Sequence, residues 1–218
     1  KGVWKSHTYL DGLANNRVYA IQGDSTGAIW FGTENGLSRY DGESFANFST
    51  KDGLAGDWVT CIYKGKGGVL WIGTRNGLSK YENGRFISFD EEDGLISNDI
   101  RAICQDDEGR LWIGTCDGLS IYDGEKFINL TVENGLPHNS IRAICRDASG
   151  RMWIGTFNGL SLYDGGRFIT FTVQNGLASN EVKALFRDKE GRIWIGTAGG
   201  ASVYDGEKFL DLTRRDGL

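Results

Sequence analysis

Charged and aromatic side chains occupy three positions that return every 41 residues, and these positions carry the chemistry that the sequence offers. Arginine side chains bind carboxylates and sulfates through paired N–H groups, and an aromatic ring offers a flat apolar face to a sugar. The residue types therefore favour a site for a polar, acidic or glycan-like ligand. The first position holds Arg17, Trp58, Asp99, Ser140 and Glu181, the second holds Glu34, Arg75, Cys116, Phe157 and Ala198, and the third holds Tyr19, Thr60, Arg101, Arg142 and Lys183.

Within these sets, Arg101, Arg142 and Trp58 are predicted to contact the ligand directly. A second group is expected at the rim, formed by Arg17, Arg75 and Asp99. The three positions lie next to the predicted crossovers and turns of one face, so they would meet at a central mouth if the repeats are arranged around an axis. The alternative is that they are surface positions that vary without function.

Catalysis has little support in the sequence. Paired acids such as Asp99 and Glu181 are the groups that glycoside hydrolysis uses, but acid pairs are common on exposed loops. His7 and His138 occupy different positions of the repeat, and neither an HExxH nor a GxSxG motif is present. The Asp-x-x-Gly motifs, such as Asp106 to Gly109, lack the alternating carboxylates of a calcium loop and favour a turn instead. The prediction is a non-enzyme with no metal and no cofactor, and a glycan-active enzyme is the less favoured alternative.

The elements that would position these residues are strands of a repeat. Tryptophans at 30, 71, 112, 153 and 194 are each separated by 41 residues, and five full copies follow a partial one. Each copy contains four short apolar segments separated by Asn-Gly, Asp-Gly or Asp-x-x-Gly, which are turn signals. Four strands per repeat of this length predict a β-propeller blade, in an all-β domain covering 1–218. The predicted boundaries are 1–13 for the partial blade and 14–54, 55–95, 96–136, 137–177 and 178–218 for the repeats.

The residues that do not vary indicate packing. Trp30, Gly32, Thr33 and Ser38 have an equivalent in all five copies. A tryptophan within an apolar strand predicts contact between blades, and the glycine permits close approach of a neighbouring backbone. Thr33 and Ser38 are expected to close hydrogen bonds around the turn between them, and the Asn-Gly turns are expected to be type I′.

The recurring residues of the repeat resemble those of a known family. The pattern W-I-G-T-x-x-G-L-S-x-Y-D-G, preceded by D-G-L-x-x-N and D-x-x-G-R, is similar to the two-component regulator propeller repeat. This resemblance implies a sensory propeller from the periplasmic region of a bacterial hybrid histidine kinase, or a related secreted protein. It therefore implies a periplasmic or extracellular location and a downstream signalling domain or protein partner.

Both ends of the chain bear on the number of blades. Trp4 to Leu13 aligns with Phe209 to Leu218, and both are predicted to be an outermost strand followed by a crossover. One of the two would complete the last blade of a five-bladed ring, and the other would lie outside. The alternative is a segment of a larger propeller. Because the sequence begins at Lys1 rather than at methionine, it is expected to be a processed or excised piece.

Composition excludes two classes of partner. The net charge of −5 and the lack of a basic stripe argue against nucleic acid, and no apolar run is long enough for membrane insertion. Of the four cysteines, Cys61, Cys104 and Cys145 are predicted to be small buried apolar residues, and Cys116 an exposed turn residue. Unpaired thiols fit an oxidising compartment poorly.

Two functions remain after these exclusions. The first is a non-catalytic sensory module that binds a glycan or a small acidic ligand at the mouth. The second is a scaffold whose faces or blade edges bind other proteins without a small-molecule ligand. Binding in a sensor should concentrate at the mouth, whereas binding in a scaffold should concentrate at outer edges or termini.

Overall fold

Residues 4–212 are described by a computed structural model. They form five antiparallel sheets of four strands, and each sheet is one propeller blade built from strands in consecutive order. Blade 1 consists of β1 (Val18–Gly23), β2 (Ile29–Thr33), β3 (Gly36–Tyr40) and β4 (Phe45–Phe48). Blade 2 consists of β5 (Val59–Lys64), β6 (Leu70–Thr74), β7 (Gly77–Glu82) and β8 (Arg85–Phe89).

The other three blades repeat the same plan. Blade 3 consists of β9 (Ile100–Gln105), β10 (Leu111–Thr115), β11 (Leu119–Tyr122) and β12 (Phe127–Leu130). Blade 4 consists of β13 (Ile141–Arg146), β14 (Met152–Thr156), β15 (Gly159–Asp164) and β16 (Arg167–Phe171). Blade 5 consists of β17 (Val182–Arg187), β18 (Ile193–Thr197), β19 (Gly200–Tyr204) and β20 (Phe209–Leu212). The predicted all-β propeller fold is confirmed.

Helical structure in the described part of the chain is limited to 3-10 segments of three residues. They are Tyr9–Asp11, Thr50–Asp52, Lys66–Gly68, Glu91–Asp93, Val132–Asn134 and Val173–Asn175. No helix among residues 4–212 is long and apolar enough to cross a membrane.

The described residues fall into two compact units. The first holds the residues up to Asp93 together with Asn98–Ile100, and the second holds Gly94–Ser97 and the residues from Arg101 onward. Blades 1 and 2 therefore belong to the first unit, and blades 4 and 5 to the second. Within each unit the first strands of consecutive blades contact one another, β1 with β5 and β13 with β17.

Tryptophan packing between blades is confirmed in both units. In the first unit, the buried ring of Trp30 lies 4.9 Å from the ring of Tyr81 in the next blade. In the second, the ring of Trp153 lies 5.0 Å from that of Tyr204. Each tryptophan thus fills the space between two sheets, where a large buried ring contributes most.

The glycine after the tryptophan permits the close approach that the sequence predicts. A Cβ placed on Gly32 would lie 2.5 Å from the Val59 Cγ1 atom, and one on Gly155 would lie 2.6 Å from the Val182 Cγ1 atom. Real Cβ atoms do not approach that closely, so a side chain at either glycine would push the next blade away.

The crossovers between blades explain why Asp-Gly-Leu or Asn-Gly-Leu recurs. In the crossover after blade 1, Ser49 caps the 3-10 segment and Asp52 Oδ2 accepts hydrogen bonds from the Ser49 N–H (2.8 Å) and hydroxyl (3.0 Å). Gly53 has a φ of 98°, which favours glycine, and Leu54 is buried in the core of the first unit. This fixed geometry determines where the residues that follow each crossover point.

Two details differ from the predictions. Of the Asn-Gly pairs, only Asn83–Gly84 has positive φ at both residues, so the others are not type I′ turns. Thr33 does close its turn, donating to the Gly36 carbonyl oxygen at 2.7 Å. The Ser38 hydroxyl instead accepts from the Ala14 N–H and donates to Asn47 Oδ1, because it joins the crossover to the outer strand.

The N-terminal segment also departs from its prediction. Residues 4–8 belong to no strand, whereas Tyr9–Asp11 and Gly12 adopt the crossover geometry as expected. The fourth strand of blade 5 is β20, so the C-terminal segment supplies it, and blade 1 uses its own β4. The crossover predicted at the C-terminus falls on residues 213–218, which lie outside the described residues.

Candidate functional site

The structure brings the first and second variable positions of a blade side by side. In four blades the backbone N–H of the second position donates to the carbonyl oxygen of the first. These pairs are Glu34 to Arg17 (3.1 Å), Arg75 to Trp58 (3.1 Å), Phe157 to Ser140 (3.1 Å) and Ala198 to Glu181 (3.0 Å). The crossover and the turn after Gly-Thr therefore converge within each of these blades, as the sequence analysis expects.

The third position connects one blade to the next within a unit. It lies on the first strand of each blade, one residue beyond the start, and its side chain reaches the first position of the following blade. The contacts are Tyr19 with Trp58, at 5.7 Å between ring centroids, Arg101 Nη1 with Ser140 Oγ at 2.8 Å, and Arg142 Nη1 with Glu181 Oε1 at 3.4 Å.

In the first unit these positions form what we call the aromatic cluster, made of Arg17, Tyr19, Glu34, Trp58 and Arg75. The Arg17 guanidinium pairs with the Glu34 carboxylate at 3.0 Å. The Arg75 guanidinium lies 3.7 Å from the centre of the Trp58 ring, a cation–π contact. One face of the indole is therefore covered by Arg75, which limits its use for stacking on a sugar.

In the second unit they form what we call the arginine cluster, made of Arg101, Ser140, Arg142, Phe157, Glu181 and Lys183. Arg142 is central, because its guanidinium lies 5.4 Å from the centre of the Phe157 ring as well as near Glu181. The Lys183 ammonium stands 4.0 Å from the same Glu181 carboxylate. Two cations, Arg142 and Lys183, thus share the Glu181 carboxylate.

The Arg142 guanidinium retains unused hydrogen-bonding capacity. Its Nε atom is buried and has no hydrogen-bond partner among the described residues. A buried donor without an acceptor costs free energy. The Arg142 side chain as a whole is 34% exposed, so its other N–H groups are within reach of a ligand. Asp117 is the other acid nearby, and its pKa is lowered by hydrogen bonds from Cys116 and Ser97 and by the charge of Arg101.

Other candidate residues have different surroundings. Asp99 is half-buried immediately before β9, in the first unit. Thr60 directs its hydroxyl to the backbone carbonyl oxygens of Gly73 (3.0 Å) and Ile100 (2.6 Å), so it serves the blade interface. His138 accepts from the Ser140 N–H at 2.9 Å and its ring contacts Phe157.

The cysteines correct two predictions. Cys61 and Cys145, predicted to be buried, are half-buried. Cys116 is half-buried rather than exposed, because its sulfur contacts the Ser97 hydroxyl at 3.2 Å and the Asp117 carboxylate at 3.0 Å. Cys104 is buried, and this burial raises the pKa of its thiol to about 11. No disulfide joins the cysteines, all four of which lie among residues 4–212.

Sequence reasoning missed the role of the aspartate in Asp-x-x-Gly. In blade 3, Asp106 Oδ2 accepts from the Trp112 indole N–H at 2.8 Å and from Arg110 Nε at 2.7 Å. Burial works to raise the pKa of Asp106, but the hydrogen bonds from Trp112 and Arg110 outweigh it and lower the pKa. We call this arrangement the Asp–Trp clasp. It recurs as Asp24 with Trp30, Asp147 with Trp153 and Asp188 with Trp194.

The constant spacing of six residues between aspartate and tryptophan was the signal for the clasp. A turn would explain the aspartate alone, but it would not explain why blade 2, with Gly65 at this place, differs from the other four. The clasp aspartates thus belong to the frame of the blade, and no ligand role is needed to account for them.

A family model for the two-component regulator propeller matches residues 12–35, 53–76, 94–117, 135–158 and 176–199. The five matches together cover more than half of the chain. The chain belongs to the two-component regulator propeller family. Each match runs from the crossover to the turn after Gly-Thr, so it contains the first and second variable positions of its blade.

Among curated proteins, the chain is 44% identical over 43 residues to histidine kinase P4 of Formosa agariphila, which is 20% of this chain and 3% of the kinase. Among solved structures, it resembles an extracellular domain assigned to a hybrid two-component system of B. thetaiotaomicron, with a TM-score of 0.79 and 24% identity. That match covers 90% of this chain and 31% of the other. The chain therefore spans a small part of these two relatives.

A more distant fold relative is an enzyme. Virginiamycin B lyase from Staphylococcus aureus matches with a TM-score of 0.72 and 13% identity, over 90% of this chain and 70% of the lyase. At these identities the likeness to solved structures concerns the fold alone, because propellers with one architecture carry many activities.

Proposed function

We propose that this chain is a non-catalytic sensory module of an extracytoplasmic signalling protein. Membership of the two-component regulator propeller family supports this, as do the extracellular domains among its fold relatives. A periplasmic or extracellular location and a downstream signalling partner are parts of the same proposal.

The ligand we propose is a small polar molecule with an acidic group, such as an acidic sugar, bound at the arginine cluster. The observation that carries this is Arg142, whose buried Nε atom has no acceptor among the described residues although its guanidinium stands beside Glu181. A carboxylate or sulfate accepts two N–H groups from one guanidinium. Phe157, which is 47% exposed, would lie under the apolar face of the sugar ring.

Binding of acidic mono- and disaccharides, both uronic acids and sulfated sugars, should be measured by calorimetry with their neutral counterparts as controls. The protein should bind at least one acidic member and not its neutral counterpart. The double variant Arg101→Ala/Arg142→Ala should weaken that binding at least tenfold, because each charge-assisted contact contributes about 1.5–3 kcal/mol.

The matched control is Arg167→Ala, which removes an exposed arginine of the same unit far along the sheet in β16. It should bind the same sugar as the unchanged protein does. If the double variant also binds every active sugar as tightly, the arginine cluster is not the site. If no acidic sugar binds at all, the ligand class is wrong.

A further inference from the structure

Asparagine followed by glycine is a reactive pair, because the backbone nitrogen of the glycine can attack the side-chain amide carbon of the asparagine. The attack closes a succinimide ring and releases ammonia, and water then opens the ring to aspartate or isoaspartate. Glycine favours this reaction because it has no side chain to obstruct the approach. The sequence contains six such pairs, which begin at Asn35, Asn76, Asn83, Asn134, Asn158 and Asn175.

Five of the six pairs are held by hydrogen bonds of the repeat. In each of them the glycine N–H, which carries the attacking nitrogen, donates to a backbone carbonyl oxygen. These bonds run from Gly36 to Asp57 (2.7 Å), from Gly77 to Asn98 (2.9 Å), from Gly135 to Val132 (3.1 Å), from Gly159 to Asn180 (2.7 Å) and from Gly176 to Val173 (3.2 Å). A nitrogen held in this way reaches the amide carbon only after the loop opens.

In two crossovers of the second unit the asparagine side chain is held as well. Asn134 Oδ1 accepts from the Thr131 N–H at 2.9 Å, and Asn175 Oδ1 accepts from the Thr172 N–H at 2.9 Å. Each amide is part of the cap of a 3-10 segment. Its carbon therefore cannot turn toward the following glycine without loss of the cap.

Asn83–Gly84 is the exception among the six pairs. It is the two-residue turn between β7 and β8, where the backbone of Glu82 pairs with that of Arg85. Neither the Asn83 side chain nor the Gly84 N–H has a hydrogen-bond partner among residues 4–212. Asn83 is exposed, and apart from the chain neighbours no heavy atom lies within 4 Å of a Cβ placed on Gly84. Both reacting groups are therefore free and have room to move.

We propose that Asn83 is a site of spontaneous deamidation and the fastest of the six pairs to react. The Gly84 nitrogen loses its proton to solvent base and forms a bond to Asn83 Cγ. The bond from Cγ to the side-chain nitrogen breaks, and that nitrogen leaves as ammonia. Water then cleaves the ring on one side to give aspartate or on the other to give isoaspartate. The net change is the hydrolysis of one amide, which needs no oxidant and no reductant.

The product differs from asparagine in charge and, when it is isoaspartate, in backbone length. Either product adds one negative charge to the −5 of the chain. The new charge lies next to Glu82, whose carboxylate pairs with the Lys80 ammonium at 2.7 Å. Isoaspartate also adds a methylene group to the backbone of a turn that joins two paired strands. The aged protein should therefore become a substrate for methyltransferases that methylate isoaspartyl carboxylates.

Ageing of the whole chain in mildly alkaline buffer, followed by digestion and peptide mass spectrometry, tests the proposal. Deamidation at Asn83 should be roughly ten times faster than at any of the other five pairs, because those must open first. In urea, where the hydrogen bonds are lost, the six rates should converge. Equal rates in the folded protein would overturn the proposal. The same advantage for Asn83 in urea would also contradict it, since the preceding residue rather than the turn would then set the rate.

Blade 4 supplies matched variants, because its turn between β15 and β16 has Gly165 and Gly166 at the same two places, with φ of 61° and 107°. Asn83→Gly gives blade 2 this turn, so it should fold normally and lose the acidic species that isoelectric focusing detects in the aged protein. Gly165→Asn places the Asn-Gly pair in the turn of blade 4 and should create a second site that reacts as fast as Asn83. An Asn83→Gly variant that acidifies as fast as the unchanged protein would refute the proposal, and so would a Gly165→Asn variant without a second site.

Discussion

The Asp–Trp clasps and the arginine cluster are built from the same repeat, yet they obey opposite rules. In the clasp of blade 3 both carboxylate oxygens of the buried Asp106 accept hydrogen bonds, and the aspartate–tryptophan pair returns in blades 1, 4 and 5. In the arginine cluster the residues change from blade to blade, and the Arg142 Nε atom has no partner among the described residues. The hydrogen bonds of this clasp recur from blade to blade, whereas the contacts of the arginine cluster do not.

In a repeat protein, residues that hold the blade together and residues that are free to bind a ligand are under different constraints. In each of the four blades that have the clasp, its residues satisfy the same kind of neighbours, so their identity is constrained by packing. A residue after the crossover has few such neighbours and can differ without harm to the blade. The comparison therefore predicts a large loss of stability at the clasp and a small one at the cluster.

The largest expected effect is that of Trp112→Ala. The ring is buried, packs 5.1 Å from the ring of Tyr163 in the next blade, and donates to Asp106. Its removal should lower the free energy of unfolding by about 3–5 kcal/mol, since a large cavity is left between two sheets. Urea denaturation measures the effect, and an unchanged midpoint would show that the tryptophan does not hold blades together.

Asp106→Ala should come next. It leaves the Trp112 indole N–H and the Arg110 backbone N–H without an acceptor in a buried turn. We expect a loss of about 2–3 kcal/mol, in the range of hydrogen bonds to a charged group. The adjacent Asp107→Ala is the control, because Asp107 is exposed and pairs with Arg146 at the surface, which should cost less than about 1 kcal/mol. Equal losses for the two variants would mean that the clasp adds nothing beyond a surface ion pair.

The clasps also predict how stability depends on pH. Burial works to raise the pKa of Asp24, but hydrogen bonds from Thr26 and Trp30 lower it from 3.8 to about 2. The pKa of Asp188 is likewise about 2, because hydrogen bonds from Trp194 and Arg192 outweigh burial. A carboxyl group whose pKa is lowered by folding stabilises the fold at pH values above its pKa in the unfolded chain. This stabilisation is lost as the pH falls toward 2, the pKa in the folded protein.

Melting temperature should therefore be steady above pH 4 or so and fall between about pH 4 and pH 2. The double variant Asp24→Asn/Asp188→Asn should show a shallower fall, although it is less stable at neutral pH. The same slope in the variant and the unchanged protein would show that other carboxylates are responsible for acid unfolding.

Phe157→Ala should have the smallest effect on stability. The ring is 47% exposed and its aromatic contacts are with Arg142 and His138, so the loss should stay within about 1 kcal/mol. A loss of stability comparable to that of Trp112→Ala would show that the arginine cluster holds the blade together as the clasps do. Binding of an acidic sugar, in contrast, should weaken clearly in this variant.

Most of the blade could be predicted from the sequence because its signals are local. The strand order, the packing of Trp30 and the close approach at Gly32 all follow from a period and from residue size. The predictions were wrong where one side chain has several hydrogen-bond partners within reach. Ser38 has its turn within reach and binds Ala14 and Asn47 instead, and Cys116 is covered by a neighbouring Ser97 that no spacing indicates.

The candidate site could be predicted as a set of positions but not as a set of contacts. The pairing of the first and second positions follows from the strand plan. The pairing of Arg142 with Glu181 depends on how one blade sits beside the next, which periodicity does not specify. The contact of Arg75 with the Trp58 ring depends on side-chain conformations, which periodicity does not specify either.

The crossover between blades has a consequence for how the chain folds as it is made. The hydrogen bonds that join consecutive blades connect residues about one repeat apart, 40 residues from Thr60 to Ile100 and 39 from Arg101 to Ser140. A newly made blade therefore finds its partners in the blade synthesised just before it. Folding can begin in any blade and spread along the chain. During synthesis, the blades are therefore expected to fold one after another as each leaves the ribosome.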